Sequence, residues 1–291
     1  MEKYKNEKVL VTGANGYIGA HVVRALLDRI GCQVVAVDFR RDNLPNAIDF
    51  RPIDILARAH DEGLYGGLGS PSAIIHLAWK DGFKHNSDAH LDMLPLHYAF
   101  LRNMHMSGCK NISVMGSMHE IGYYVGGIDD RVDVACNPVS LYGIAKNALR
   151  QAIMIYARNT DLNLKWYRGY YIIGDEWHSS SILGKILAFE KEGRKTFPFT
   201  DGKNKYDFID VDVLAYQIAC SALQTDQTGI INVCSGRAQA LKDVVEGFIA
   251  ERKLNIRLDY GAFPSRPCDS PCVYGVADKI KDIVARFESN K

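Results

Sequence analysis

Two rhythms of apolar residues alternate along this chain. Residues 9–11 form a short β-branched and Leu run that stops at Thr12-Gly13. The apolar positions that follow, Ile18, Val22, Val23, Leu26 and Leu27, share one helical face. Residues 33–38, with Val34-Val35-Ala36-Val37, read as the next strand, as do 73–77, 112–115 and 162–167. Helices are predicted at 92–106 and 141–158, with Pro95 marking the true start of the first, because proline is tolerated in a helix's opening turn. Strands alternating with helices imply a parallel sheet covered on both faces. After Gly174 the rhythm loosens. A polar loop at 175–181 precedes an apolar helix at 182–189, and Phe197, Phe199, Tyr206 and Phe208 suggest short strands. Helices are predicted at 213–223, 241–249 and 277–287, and a strand at 230–233. The expected division is a first domain at 1–174 and a smaller lobe at 175–291, with 230–233 a candidate to return to the main sheet.

Composition narrows the class. The 291 residues are 47% hydrophobic and 24% charged, as in ordinary globular proteins. A net charge of +1 argues against nucleic acid or an anionic membrane as partner. Seven scattered cysteines suggest reduced thiols and a cytoplasmic setting. Cys268 and Cys272 lack a partner cluster, so no zinc site is expected. The charged opening residues lack the apolar core of a signal peptide, and no apolar run reaches bilayer length.

Thr12-Gly13-Ala14-Asn15-Gly16-Tyr17-Ile18-Gly19 lies between the first strand and the first helix. Gly13 suits a tight turn, Gly16 a close approach to pyrophosphate, and Gly19 close helix packing. The helix start offers N–H groups to phosphate oxygens. Asp38 ends the second strand, placed to accept hydrogen bonds from the adenosine ribose. The pattern is that of a Rossmann-type, doubly wound α/β fold. Asp38 favours NAD, whereas Arg40 and Arg41 suit the 2′-phosphate of NADP or simply a solvated loop, so both cofactors stay open. Asp54 suits either the adenine amino group or a helix N-cap.

Tyr142 and Lys146 are four apart, hence on one face of a helix. A nearby ammonium is expected to lower the phenol below its ordinary value of about 10 and make it a usable acid or base. Ser117 lies upstream at a strand end.

In order and spacing, Thr12-Gly13-x-x-Gly16-x-x-Gly19, Asp38, His76-Leu77-Ala78, Ser117, Tyr142-x-x-x-Lys146, Asp207-Phe208-Ile209 and Arg266-Pro267 resemble the extended short-chain dehydrogenase/reductase family over nearly the whole chain. Met118 to Gly122 and 141–151 are most similar to reductases of nucleotide-linked 4-keto-6-deoxy sugars. The resemblance implies Ser117, Tyr142 and Lys146 as catalytic residues. It implies cofactor contacts at Gly13, Asn15, Gly16, Tyr17, Ile18, Gly19, Asp38, Arg40, Asp54, Ile55, Leu77, Ala78 and Trp79, besides Tyr142 and Lys146. Substrate contacts fall at Ser117, Met118, His119, Tyr171 and Arg266, with Arg266 a bidentate candidate for the diphosphate. Residues 79–85, Trp177 and His178 are candidates for the sugar pocket. The resemblance also implies a homodimer through the helices at 92–106 and 141–158, on faces carrying Leu94, Tyr98, Leu101, Leu149, Ile153 and Tyr156.

Ile121, Tyr171 and Tyr206 stand where the family often has Tyr, Asn and Arg. Related dehydratases carry Asp-Glu after the serine or threonine, where this chain has Met118-His119, which disfavours dehydration. His119, with an ordinary value of about 6.5, suits a second acid or base, a substrate hydrogen bond or a structural role. The expected activity is NAD(P)H-dependent reduction at C4 of a dTDP-4-keto-6-deoxyhexose. The alternatives are a 4-epimerase using the same residues and, from another class, a nicotinamide-sensing protein without turnover.

Overall fold

A computed structural model describes residues 4–132, 134–175, 181–264 and 269–290. Trp177, His178, Arg266 and Cys268 lie outside the described residues. The first half opens with β1 (Lys8–Thr12), α1 (Tyr17–Arg24, running on as a π turn at Ala25–Ile30), β2 (Gln33–Val37), β3 (Asp49–Arg51), α2 (Leu64–Gly67) and β4 (Ala73–His76). It continues with α3 (Ala89–Asp92), α4 (Leu94–Met106), β5 (Asn111–Met115), a 3-10 turn at Met118–Glu120, β6 (Gly126–Ile128), α5 (Leu141–Arg158), β7 (Asn163–Gly169) and β8 (Tyr171–Ile173). Then come α6 (Ile182–Lys191), β9 (Thr196–Phe199), β10 (Lys205–Asp210), α7 (Val211–Ala222), β11 (Gly229–Val233), β12 (Ala238–Ala240), α8 (Leu241–Glu251), β13 (Arg257–Tyr260), β14 (Cys272–Gly275) and α9 (Asp278–Ser289).

Seven strands pair in the order β11-β7-β5-β4-β1-β2-β3, all parallel. Such strands are buried on both faces, and Val9, Leu10, Val11, Ile74 and Ile75 have no exposed surface. The chain reverses its winding between β1 and β4, which opens a crevice at their carboxyl ends, where Rossmann-type sheets bind ligands. β11 is an edge strand of this sheet, so the sheet draws on residues from both sides of position 174. The remaining strands form a smaller sheet, β12-β10-β14-β6 with β8 beside β10, and the pair β13-β9. Leu183, Ile186, Leu187, Phe197, Phe199, Val245 and Phe248 form a separate apolar core beneath α6 and α8.

On α4 and α5 the expectation is corrected at three of the six residues named for a dimer contact, while Leu94, Tyr98 and Tyr156 are partly buried. Leu101, Leu149 and Ile153 are fully buried in the chain's own core, where α4 and α5 pack together beside the sheet. They are therefore unavailable to a partner subunit. The 3.6-residue period turns Met106, Ile144 and Ile155 outward instead. Among the described residues no helix is long and apolar enough to cross a membrane, and no cluster is arranged to hold a metal ion.

Candidate active site

The loop after β1 is built by its glycines. Gly13 sits at φ +67°, a conformation L side chains rarely adopt, and a Cβ there would lie 2.6 Å from the Ala78 amide nitrogen. A Cβ on Gly19 would overlap the Gly13 carbonyl, so α1 rests directly on the loop. Gly16 caps α1 without a side-chain hydrogen bond. Asp38 accepts from the amides of Asn15 at 2.9 Å and Phe39 at 2.7 Å, and Asn15 in turn accepts from the Asn43 amide at 2.8 Å.

Other predicted cofactor contacts are placed differently. Asp54 accepts from the Leu56 and Ala57 amides at 3.0 and 3.1 Å, heading a turn at 55–60 rather than capping a helix, and Ile55 is buried in the core. Arg40 lies 3.6 Å from Asp42, while Arg41 donates to the carbonyls of Pro45 and Asn46.

Ser117 closes β5 and caps the turn that follows. Its Oγ accepts from the His119 amide at 3.2 Å, and its own amide donates to Glu120 Oε1 at 2.7 Å. Glu120 is fully buried. It also accepts from Trp166 Nε1 and lies 3.3 Å from Arg150 Nε, while burial pushes its carboxyl up. Tyr142 stands in the first turn of α5, which Ser140 caps through the Gly143 amide. A Cβ on Gly143 would strike the His119 carbonyl, so the helix presses on the serine turn.

Lys146 is buried one turn later. Its Nζ donates to the Met115 carbonyl at 2.6 Å, sits 3.6 Å from the Trp79 ring centre, and is 5.9 Å from that of Tyr142. The expected lowering of the phenol is reversed in the folded chain. Burial pushes Tyr142 up to about 12, against an opposing hydrogen bond from Ser117, and pulls Lys146 down to about 7. Desolvation penalises each charged form, and the ammonium is directed at Met115 and Trp79 rather than at the phenol.

One cavity of about 870 Å³ collects the predicted residues Gly13, Gly16, Tyr17, Ile18, Gly19, Leu77, Trp79, Ser117, His119, Tyr142, Lys146 and Tyr171. Asn15, Asp38, Arg40, Asp54, Ile55, Ala78 and Met118 do not line it. Met118 is 6% exposed and belongs to the hydrophobic core. The far wall is apolar and aromatic, with Ile182, Phe189, Phe197, Phe208 and Phe263. Tyr171 stacks on Tyr206 there at 4.4 Å, joining two of the three positions that depart from the family pattern.

Sequence reasoning missed a histidine network behind Trp79. Thr12 Oγ1 bonds His76 Nδ1 at 2.8 Å, His76 Nε2 bonds His97 Nδ1 at 2.9 Å, and the His97 ring stacks on Trp79 at 4.4 Å. Burial holds His76 and His97 well below their ordinary value, and the nearby Lys146 adds to the effect. Only the apolar run around His76 hinted at a buried imidazole.

The sequence profile of the NAD dependent epimerase/dehydratase family matches residues 9–234. The chain is 42% identical over 271 residues to dTDP-6-deoxy-L-talose 4-dehydrogenase (NAD(+)) of Aggregatibacter actinomycetemcomitans, covering 92% of this chain and 98% of the relative. In fold it is similar to UDP-glucose 4-epimerase of Thermotoga maritima, solved with UDP-glucose, with a TM-score of 0.80, 20% identity, and coverage of 94% and 91% of the two chains. It is also similar in fold to the dTDP-glucose 4,6-dehydratase DesIV of Streptomyces venezuelae, with a TM-score of 0.79, 20% identity, and coverage of 94% and 90%.

Proposed function

The chain belongs to the NAD dependent epimerase/dehydratase family, and from that premise we propose that it is an NAD-dependent reductase of a dTDP-linked 4-keto-6-deoxyhexose. One observation carries this reading: Ser117, Tyr142 and Lys146 meet the glycine loop on a single cavity. The likeness to a dTDP-deoxyhexose 4-dehydrogenase over nearly the whole chain supports the sugar class. A dehydrogenase named for oxidation at C4 and a reductase of the 4-keto sugar run one equilibrium in opposite directions.

The residues present fit NAD. Gly13 and Gly16 face the cavity without side chains, and Gly13 has no room for one, which leaves a cradle for pyrophosphate. Asp38 steadies that loop from the end of β2, and its charge repels a 2′-phosphate. Arg40 and Arg41 are engaged within their own loop, which favours NAD over NADP. Leu77, Trp79 and Lys146 would hold the nicotinamide end. When bound, nicotinamide supplies the hydride that C4 receives.

Tyr142 protonates the C4 oxygen as hydride arrives at carbon, and Ser117 hydrogen-bonds the same oxygen, where negative charge develops. Lys146 is fixed by Met115 and Trp79 one helical turn from the phenol, where it would hold the nicotinamide ribose. His119 and Tyr171 contact the sugar. Arg266 is assigned to the diphosphate on sequence alone. The outward faces of α4 and α5 are the proposed contact of a homodimer.

The test follows NADH absorbance with a panel of nucleotide-linked 4-keto-6-deoxyhexoses. Stoichiometric loss is expected with the dTDP sugar, and Tyr142→Phe should lower kcat by about 10²- to 10⁴-fold while sparing NADH affinity. Full activity in that variant refutes the assignment. Interconversion of C4 epimers without net loss of NADH would establish the 4-epimerase instead.

A further inference from the structure

Tyr142 is enclosed by imidazoles whose presence the Tyr-Lys pair does not explain. The His85 ring stacks on the phenol, with centres 5.2 Å apart and planes 12° from parallel. His119 stands edge-on to both, 4.7 Å from His85 and 6.1 Å from Tyr142. Backbone fixes this grouping: the Tyr142 amide donates to the His85 carbonyl at 2.8 Å, and the His119 carbonyl abuts Gly143. His90 approaches Tyr142 from a third side at 5.3 Å. It is buried, and its two nitrogens are engaged with Trp79 Nε1 and the Lys84 carbonyl. His85 and His119 are half-buried, and both line the cavity.

We propose that His85 and His119 are the proton port of this site, exchanging with solvent the proton that Tyr142 gives to the C4 oxygen. The proposal rests on the reductase reading above. In reduction, hydride and its electron pair go to C4, and the Tyr142 Oη–H bond breaks to form the C4 hydroxyl. The phenolate is then reprotonated from the His85 imidazolium, and water restores that proton through His119. Net reduction consumes one solvent proton per turnover, whereas epimerisation returns the proton to Tyr142 and needs no port. Lys146 also reaches the cavity, but it is 3% exposed and its Nζ is engaged by the Met115 carbonyl and the Trp79 face, so the half-buried imidazoles are the more open route.

Among the described residues, the charged and titratable groups around the pair include Tyr142, Lys146, His90 and the buried Glu120. Asp81, Lys80 and Lys84 belong to the loop that carries His85, and Asp269 faces the same cavity. Asp81 is engaged with Ser87 Oγ at 2.7 Å and with Lys84 at 3.7 Å. An imidazole value of about 6.5 suits uptake and release near neutral pH.

His85→Gln, His119→Gln and the double variant test this, with NADH and a dTDP-4-keto-6-deoxyhexose. A pH indicator in weak buffer reads proton uptake beside NADH loss. Wild-type uptake should keep pace with NADH loss, and kcat should fall as pH rises through the imidazole range. In the variants that limb should disappear, with kcat on the order of tenfold lower, NADH affinity unchanged, KM unchanged in His85→Gln, and partial rescue by free imidazole. An unchanged limb and kcat, or an effect confined to KM, overturns the port while leaving the reductase standing. Wild-type protein that converts C4 epimers without consuming NADH overturns the reductase reading itself.

Discussion

Replacing Lys146 with methionine should change how stability depends on pH. Burial holds this ammonium at about 7 against 10.5 in an unfolded chain. Below pH 7 both states carry the proton, and the folded state bears the full desolvation cost. The gap of about 3.5 pH units, at about 1.4 kcal/mol each, sets a ceiling of about 5 kcal/mol. Against it stand the contact with the Trp79 ring, worth about 2 kcal/mol, and the Met115 carbonyl, which would lose its donor at about 1–3 kcal/mol. At pH 6 the variant should therefore fall within about 2 kcal/mol of wild type. Above pH 7 the folded lysine releases its proton while the unfolded one keeps it until about 10.5. The unfolded state then binds more protons, so wild-type stability rises with pH. From pH 7 to pH 9 wild type should gain about 2 kcal/mol on Lys146→Met, because the cost that the mutation removes is itself vanishing. Guanidinium denaturation of both proteins, without cofactor, at pH 6, 7, 8 and 9 reads this difference. A difference that stays constant across the series refutes the reasoning.

Other perturbations test the architecture around the site. Gly19→Ala puts a methyl group into the Gly13 carbonyl, so it should cost about 1–3 kcal/mol and weaken NADH binding, read by thermal melting and calorimetry. Glu120→Gln leaves the buried guanidiniums of Arg150 and Arg168 without a counter-charge; denaturation should show a loss of about 3–5 kcal/mol. Ile155→Glu places a charge on the outward face of α5, where Ile155 is 59% exposed, and should convert a dimer to the 32.5 kDa chain in sedimentation. Wild-type protein already sedimenting as that single chain removes the dimer.

The legible parts of the fold were those with local causes. The helix from Leu141 to Arg158 matched in both bounds, because Ser140 caps it and its apolar period is unbroken. Pro95 sits in the first turn of α4, as its missing N–H requires. By contrast, β6, β12, β13 and β14 have three or four residues each and are held by partners distant in sequence, as Val273 is by Gly126. No local rhythm marks them. In the site, glycines and the Tyr-Lys spacing were readable because each follows from backbone geometry. The acidity of Tyr142 was not, because desolvation depends on what the fold brings over it. His85 was legible only as part of a pocket-lining loop, and its stacking on Tyr142 was not, since the ring it covers is distant in sequence.

Whether the site can also eliminate water turns on the residues after Ser117. A 4,6-dehydratase needs a base for the C5 proton and an acid for the leaving C6 hydroxyl, in addition to the C4 machinery. Here the first of those positions is Met118, an apolar side chain in the hydrophobic core. The second, His119, faces the cavity but stands against Tyr142 and His85. The next acid, Glu120, is fully buried and spent on the Ser117 amide, Trp166 and two arginines. Among the described residues, the titratable side chains near Ser117 thus gather around Tyr142, the proposed proton donor, and no carboxylate pair is set beside it for C5 and C6. Hydride exchange at C4 needs one proton-transfer centre and elimination needs two. Incubation with NAD and dTDP-glucose should therefore yield no 4-keto-6-deoxy product by mass spectrometry, and loss of one water from the sugar would refute the argument.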